Sequence, residues 1–379
     1  MRMFPGLLAA AAMSAATAIG GSLTPAQAAP DVVVSIKPIH SLVATVMQGV
    51  GTPGLIVEGA ASPHTYSLRP SQAAKLSSAD VVFWVGHELD AFLEKPIETL
   101  GSNARSVELI DTEGLVRRGF REGATFERHS HGDDDHDEHE HEKHGHEEGK
   151  YDDDHGHDGH DDHADTDHDR HEHEEHGHKE HEHEEHAHEE HGDDHKDERG
   201  HEHAHHGVDS HIWLDPENAR HMVHAIEHVL SAVDPANAAR YEANAEAAMA
   251  RLAALGDEVK GIVAPVRDQP FIVFHDAYQY FEERFGMHAA GSVTVSPETV
   301  PGAARVREIQ GRIRELGATC VFAEPQFTPK LIEVVTEGTP AKSGVLDPLG
   351  AAIEPGPDLY ATLLRDMAMS FRDCLQPRS

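Results

Sequence analysis

Cysteine is nearly missing from this sequence, basic residues are heavily outnumbered, and no long apolar run occurs past the first residues. The two cysteines, Cys320 and Cys374, lack the C-x-x-C spacing of a thiolate-built zinc cluster. In an oxidising compartment an even pair reads most simply as a disulfide, with two thiolate metal ligands as the competing reading. Lys and Arg total 31 against 68 Asp and Glu, a formal net charge of −37. Such a chain repels nucleic acid and anionic lipid and attracts cations. The lack of any stretch of about 20 apolar residues speaks against a membrane span. Nucleophile-elbow, phosphate-loop and paired-carboxylate motifs are missing too, so binding is favoured over catalysis.

What the chain does have begins with an export signature. Arg2 precedes an alanine-rich apolar run over residues 6–19, and Ala26-Gln27-Ala28 forms a small-x-small cleavage site. Residues 1–28 are therefore expected to be a signal peptide, and the mature protein to be exported and soluble.

Residues 129–206 hold 26 of the 35 histidines, 32 acidic side chains and six basic ones, with almost nothing apolar. No core can be built from that composition, so the tract is expected to be a disordered, solvated insertion. It carries −26 of the net charge, which leaves the remainder only moderately acidic. Imidazole, with a pKa of about 6.5, is mostly deprotonated near neutral pH, and imidazole mixed with carboxylate is a ligand set for borderline divalent metals, zinc first. His136, His139, His141, His171, His173, His181, His183, His203 and His205 are representative auxiliary ligands. Residues 181–190 nearly repeat 171–180, so a duplicated low-complexity solubility segment is the alternative reading.

Outside the tract, short β-branched runs alternate with amphipathic segments. Strands are expected at 32–36, 55–58, 80–85 and 106–110, and helices at 39–48, 71–78 and 91–100. After the tract Pro216 opens a helix to 233, and Asp234-Pro235 opens a long one over 235–264, about 43 Å at 1.5 Å per residue. Strands at 271–274, 289–293, 319–323 and 343–346 then alternate with helices at 277–285, 302–316, 329–338 and 358–374. This predicts an α/β fold of two lobes, 29–128 and 265–379, each a parallel sheet flanked by helices. A connector and helix, 207–234, and a rigid backbone helix, 235–264, join them.

Ligands of open α/β sheets bind beyond the carboxyl ends of the strands. His64 follows the second strand, His275 directly ends the strand at 271–274, and His211 sits in the connector. Taken singly, each reads as a hydrogen-bonding loop residue; the shared context favours ligands. Three imidazoles from separated segments meet only across a cleft between lobes, a geometry suited to a captured, releasable ion. His221, His224 and His228 share one helix face and read as solvated, and His40, His87 and His288 as ordinary loop or surface residues.

Several motifs carry a wider resemblance: Ser35-Ile36-Lys37-Pro38, Ser62-Pro63-His64-Thr65-Tyr66-Ser67-Leu68-Arg69-Pro70-Ser71, His211-Ile212-Trp213-Leu214-Asp215-Pro216, Phe274-His275-Asp276-Ala277-Tyr278, Cys320-Val321-Phe322-Ala323-Glu324-Pro325-Gln326 and Leu346-Asp347-Pro348-Leu349-Gly350. Together they resemble the metal-binding solute-binding proteins of zinc ABC importers over essentially the whole mature chain. The resemblance implies a periplasmic protein whose metal histidines are His64, His211 and His275 and whose cysteines, Cys320 and Cys374, pair. It also implies Zn2+ as the transported ligand and a permease driven by a cytoplasmic ATPase as partner. A periplasmic zinc chaperone is a further conceivable partner, and a monomer is expected.

One departure matters. Some relatives place glutamate immediately before the first metal histidine, where this chain has Pro63, so water or another group must fill the fourth position. Asp347 matches a position that supplies a carboxylate ligand in some relatives; its other reading is a turn cap ahead of Pro348. Three imidazoles with at most one carboxylate suit tetrahedral zinc, whereas glutamate at position 275 would read as a manganese site. Copper and nickel also accept imidazole. Two alternatives remain: an exported zinc buffer that never meets a permease, and a zinc hydrolase. The hydrolase motif, His201-Glu202-His203-Ala204-His205, lies in the tract, with no apolar helix to place its imidazoles on one face.

Overall fold

The structure, a computed structural model, describes residues 28–121, 126, 207–294, 297, 299–318 and 320–377. The expected signal peptide, apart from Ala28, and the histidine-rich tract with its nine named histidines lie outside them.

Three consecutive valines form β1 (Val32–Val34), buried on both faces as a central parallel strand requires. It is followed by α1 (Lys37–Val46), β2 (Gly54–Leu55), α2 (Pro70–Ser77), β3 (Val81–Trp84), α3 (His87–Thr99) and β4 (Arg105–Glu108). The strands form one parallel sheet in the order β2-β1-β3-β4. The second sheet repeats this plan from β5 (Phe271–Val273), α6 (Gln279–Phe285), β6 (Ala289–Ser292), α7 (Ala303–Leu316), β7 (Cys320–Ala323), α8 (Lys330–Thr336), β8 (Lys342–Val345) and α9 (Leu359–Leu375). Its order is β6-β5-β7-β8, again all parallel.

Between the sheets run α4 (Pro216–Val233) and α5 (Ala238–Val263). The expected long helix is present, but a 3-10 turn, Pro235–Asn237, precedes its regular part. Asp234 stabilises that entry: its Oδ2 accepts from Asn237 Nδ2 at 2.7 Å and from the Tyr241 hydroxyl at 2.9 Å. The 26 residues of α5 span about 39 Å and pack against α4, α1, α6 and α9, touching helices of both lobes. Two other expectations shift. The strand expected at 55–58 pairs only through Leu55, although Ile56 and Val57 still donate backbone bonds to Val34 and Ser35. His40, expected at a surface or loop, is buried in α1 and holds Pro53 O at 3.0 Å.

Cys320 and Cys374 form a disulfide with Cα atoms 6.0 Å apart, tying α9 to β7. Neighbouring Gly344 must be glycine, because a Cβ there would stand 2.7 Å from the Phe322 ring and 3.0 Å from Cys374 Sγ.

Side-chain bonds from α1 fasten the two lobes together directly. The buried Lys37 ammonium donates at 2.9 Å to the carbonyls of Gly350, Ala351 and Ile353, in the loop after β8. Ser41 and Thr45 donate to Pro357 O, and Ser41 Oγ accepts from Tyr360 N. Lys37→Met should therefore cost roughly 1–3 kcal/mol of unfolding free energy, the penalty for buried carbonyls left without donors. Urea unfolding measures it, and an unchanged midpoint contradicts the latch.

Candidate metal centre

His64 is carried by the 3-10 turn Pro63–Thr65, which packs against α3. His211 lies just before the 3-10 turn Ile212–Leu214, whose exit is anchored by Asp215. The Asp215 carboxylate caps α4 by accepting from Glu217 N at 2.8 Å, and it binds the Arg284 guanidinium through two contacts of 2.6 Å. His275 lies two residues beyond the end of β5, at the point where the sheet order reverses, between crossovers to β6 and to β7. In an open parallel sheet that crevice is where side chains from two strand ends converge.

The three imidazoles meet there. One ring nitrogen from each of His64, His211 and His275 lies within 4.8 Å of the other two. Their ring centroids are 5.3–5.7 Å apart. His211 Nε2 and His275 Nε2 stand 3.4 Å apart. Two nitrogens at 2.0–2.1 Å from one tetrahedral ion are separated by about 3.3 Å, so this pair is already at coordination distance. Among the described residues no other such cluster of ligand side chains occurs.

Two carboxylates that the sequence reading did not assign a role orient the rings. Asp209 Oδ1 lies 2.8 Å from His211 Nδ1, and Glu324 Oε1 lies 2.8 Å from His275 Nδ1. Each carboxylate accepts the Nδ1 proton and so turns Nε2, the free lone pair, toward the centre. Asp209 was discoverable, since an acid two residues before a ligand can reach back to it; its Oδ1 also accepts from His211 N at 3.0 Å. Glu324 ends β7, the neighbour of β5, a proximity that only strand order reveals.

Burial sets the electrostatics. His211 is pushed down to about 3 by desolvation, then by the His275 charge, so it stays neutral. Burial also acts to lower His275, but the charge and hydrogen bond of Glu324, with Asp276 and Asp209, carry it above the ordinary imidazole value. Burial raises Asp209 to about 7 and Asp276 to about 6. The cation serving this acidic group is Arg121, whose guanidinium binds Asp276 and Glu282. Arg121 stands beside the root of the tract, where Gly119 and Val208 pair antiparallel.

Apolar walls from Pro63, Leu89, Trp213, Phe327 and Leu349 close the site to a cavity of about 10 Å³. That admits about one water or a bare ion, not an organic substrate. Asp347 is not brought into the cluster. Its Oδ1 accepts from Leu349 N at 3.2 Å and from Gln326 Nε2 at 3.1 Å, and its Oδ2 from Ala351 N at 2.5 Å.

Residues 32–374 match the family model described as zinc-uptake complex component A, periplasmic. The chain belongs to this family. Among relatives of the zinc-uptake component family, the high-affinity zinc uptake system protein ZnuA of Brucella abortus (strain 2308) is 52% identical over 344 residues, covering 91% of each chain. The protein so named from Paracoccus denitrificans (strain Pd 1222) is 37% identical over 362 residues, 95% of this chain and 96% of its own. In fold, the chain resembles the crystal structure of a zinc-bound 138-173 deletion mutant of ZnuA, with a TM-score of 0.63 at 20% identity, over 93% of this chain and 100% of that one. Zinc-uptake component A is a periplasmic family, and no described helix of this member is long and apolar enough to cross a membrane.

Two outcomes follow from the geometry. Asp209→Asn and Glu324→Gln should each weaken metal binding about 10- to 100-fold, measured by chelator competition; parent affinity in both contradicts the orienting role. Because His275 is raised and His211 lowered, a proton competes for His275 but not for His211. Binding should therefore displace a proton from His275 and none from His211, and affinity should fall as pH drops through the raised range in which His275 takes up its proton. Calorimetry in buffers of different ionisation enthalpy counts the proton in the parent and in His275→Gln, and an equal count contradicts this assignment.

Proposed function

We propose that this protein captures Zn2+ in the periplasm at His64, His211 and His275 and delivers it to the membrane permease of an ATP-driven importer. The observation that carries the reading is the convergence of three ring nitrogens, two of them already spaced as on one tetrahedral ion. Three neutral imidazoles favour zinc over manganese, which prefers oxygen donors. The names of the relatives, high-affinity zinc uptake proteins, agree with that choice. Cleavage after Ala28 would deliver the mature chain to this compartment.

The protein acts on the ion by holding and releasing it. His211 and His275 are set by buried carboxylates, whereas His64 rides on a short turn and is only half-buried. Docking on the permease would draw this third ligand away and open the site. The auxiliary histidines of residues 129–206 gather ions and raise their concentration nearby.

That same tract supports a second reading, an exported zinc buffer uncoupled from any permease. Stoichiometry separates the two. Deletion of residues 129–206 should leave one tight site, and His275→Ala should abolish it. Loss of all tight binding with the tract, or unchanged affinity in His275→Ala, overturns the capture reading; zinc-limited growth of a gene-deleted strain then tests uptake.

A further inference from the structure

Three imidazoles leave one place open on a tetrahedral ion, and the lining of the cavity shows what can serve it. Asp347 is committed to a turn: three donors, Leu349 N, Ala351 N and Gln326 Nε2, occupy its carboxylate. Glu324 holds His275 from behind the ring. Most of the remaining lining is apolar; the polar exceptions are Ser62 and Gln326, and Glu324 also keeps a buried Oε2 without a donor. Gln326 lines the cavity, its Oε1 is buried, and that oxygen has no hydrogen-bond donor.

The orientation of this amide follows from its neighbour. A carboxylate accepts only, so the Gln326 nitrogen must be the end that meets Asp347, and the oxygen is turned the other way. A buried carbonyl oxygen without a donor, in the wall of a cation site, calls for a group that can donate. A water bound to a divalent ion is such a group, because the ion polarises both of its O–H bonds.

We propose that a water completes the coordination of the captured ion by donating to Gln326 Oε1, and that Asp347 serves the site by holding the Gln326 amide. This rests on the assignment of His64, His211 and His275 as the ion's ligands. The arrangement gives position 326 control of selectivity. A neutral amide supports three nitrogens and a water, a set suited to zinc, while a carboxylate there would bring an anionic oxygen donor and favour harder ions.

The test compares Gln326→Leu and Gln326→Glu with the parent in the full chain. Zn2+ affinity is read by competition with a chelator strong enough to strip weaker histidine sites, and the ligand field by visible absorption of the Co2+ form. We expect Gln326→Leu to weaken Zn2+ binding about tenfold and to alter the Co2+ bands, with the metal-free protein still melting cooperatively and only slightly lower, because the bond to Asp347 is lost. Gln326→Glu, nearly the same size, loses the donor to Asp347 and sets two carboxylates side by side, so its metal-free melting temperature is measured alongside; folded, it should shift the Zn2+ to Mn2+ affinity ratio about tenfold or more toward Mn2+. Parent-like affinity and Co2+ bands in Gln326→Leu, or a parent-like ratio in Gln326→Glu, overturn the proposal. If either occurs while His275→Ala abolishes binding, the three-histidine site stands without it; if the parent itself has no tight site, both fail.

Discussion

Two imidazole lone pairs pointed at each other across 3.4 Å are the constraint around which this molecule is arranged. In a dry pocket such a pair repels unless a positive charge sits between, and here the carboxylates of Asp209 and Glu324 keep both rings turned inward. The same carboxylates supply the charge that makes a cation welcome. Without a metal, a proton on His275 answers that demand in part, since Glu324 and its acidic neighbours raise this ring while burial keeps His211 neutral. Zinc answers it fully.

Such a site holds its geometry only if the lobes that supply it hold theirs. The second lobe contributes His275 and Glu324 from adjacent strand ends, the connector contributes Asp209 and His211, and the first lobe contributes His64. The frame is correspondingly stiff: α5 touches helices of both lobes, Lys37 latches α1 to the loop after β8, and Trp213 Nε1 donates to Pro348 O at 2.8 Å. His64, on its short turn, is the most exposed of the three rings, which suits release by local movement better than by swinging apart.

Much of this was legible in the sequence because its signals are local. Apolar runs and amphipathic periods locate seven of the eight described strands closely, and β2 is the one displaced, because only Gly54 and Leu55 pair in register while Ile56 and Val57 keep backbone bonds to β1 and its exit. Pro216 and the alanine-rich stretch after Pro235 announce α4 and α5; the 3-10 turn between them depends on Asp234 bonding to Asn237 and Tyr241, which no propensity shows. His64, His211 and His275 stand out as histidines at strand ends and in a connector. Glu324 and Gln326 do not, since their value arises from strand order and from which end of an amide meets Asp347. Asp347 illustrates the converse: its position invites a ligand reading, and only the turn around it shows its oxygens engaged.

The measurement closest to the central claim is a crystal structure of the zinc-loaded protein with anomalous differences recorded on both sides of the zinc edge. One strong peak is expected about 2.0–2.1 Å from a ring nitrogen of each of His64, His211 and His275. A strong zinc peak elsewhere, with these three rings bare, would contradict it.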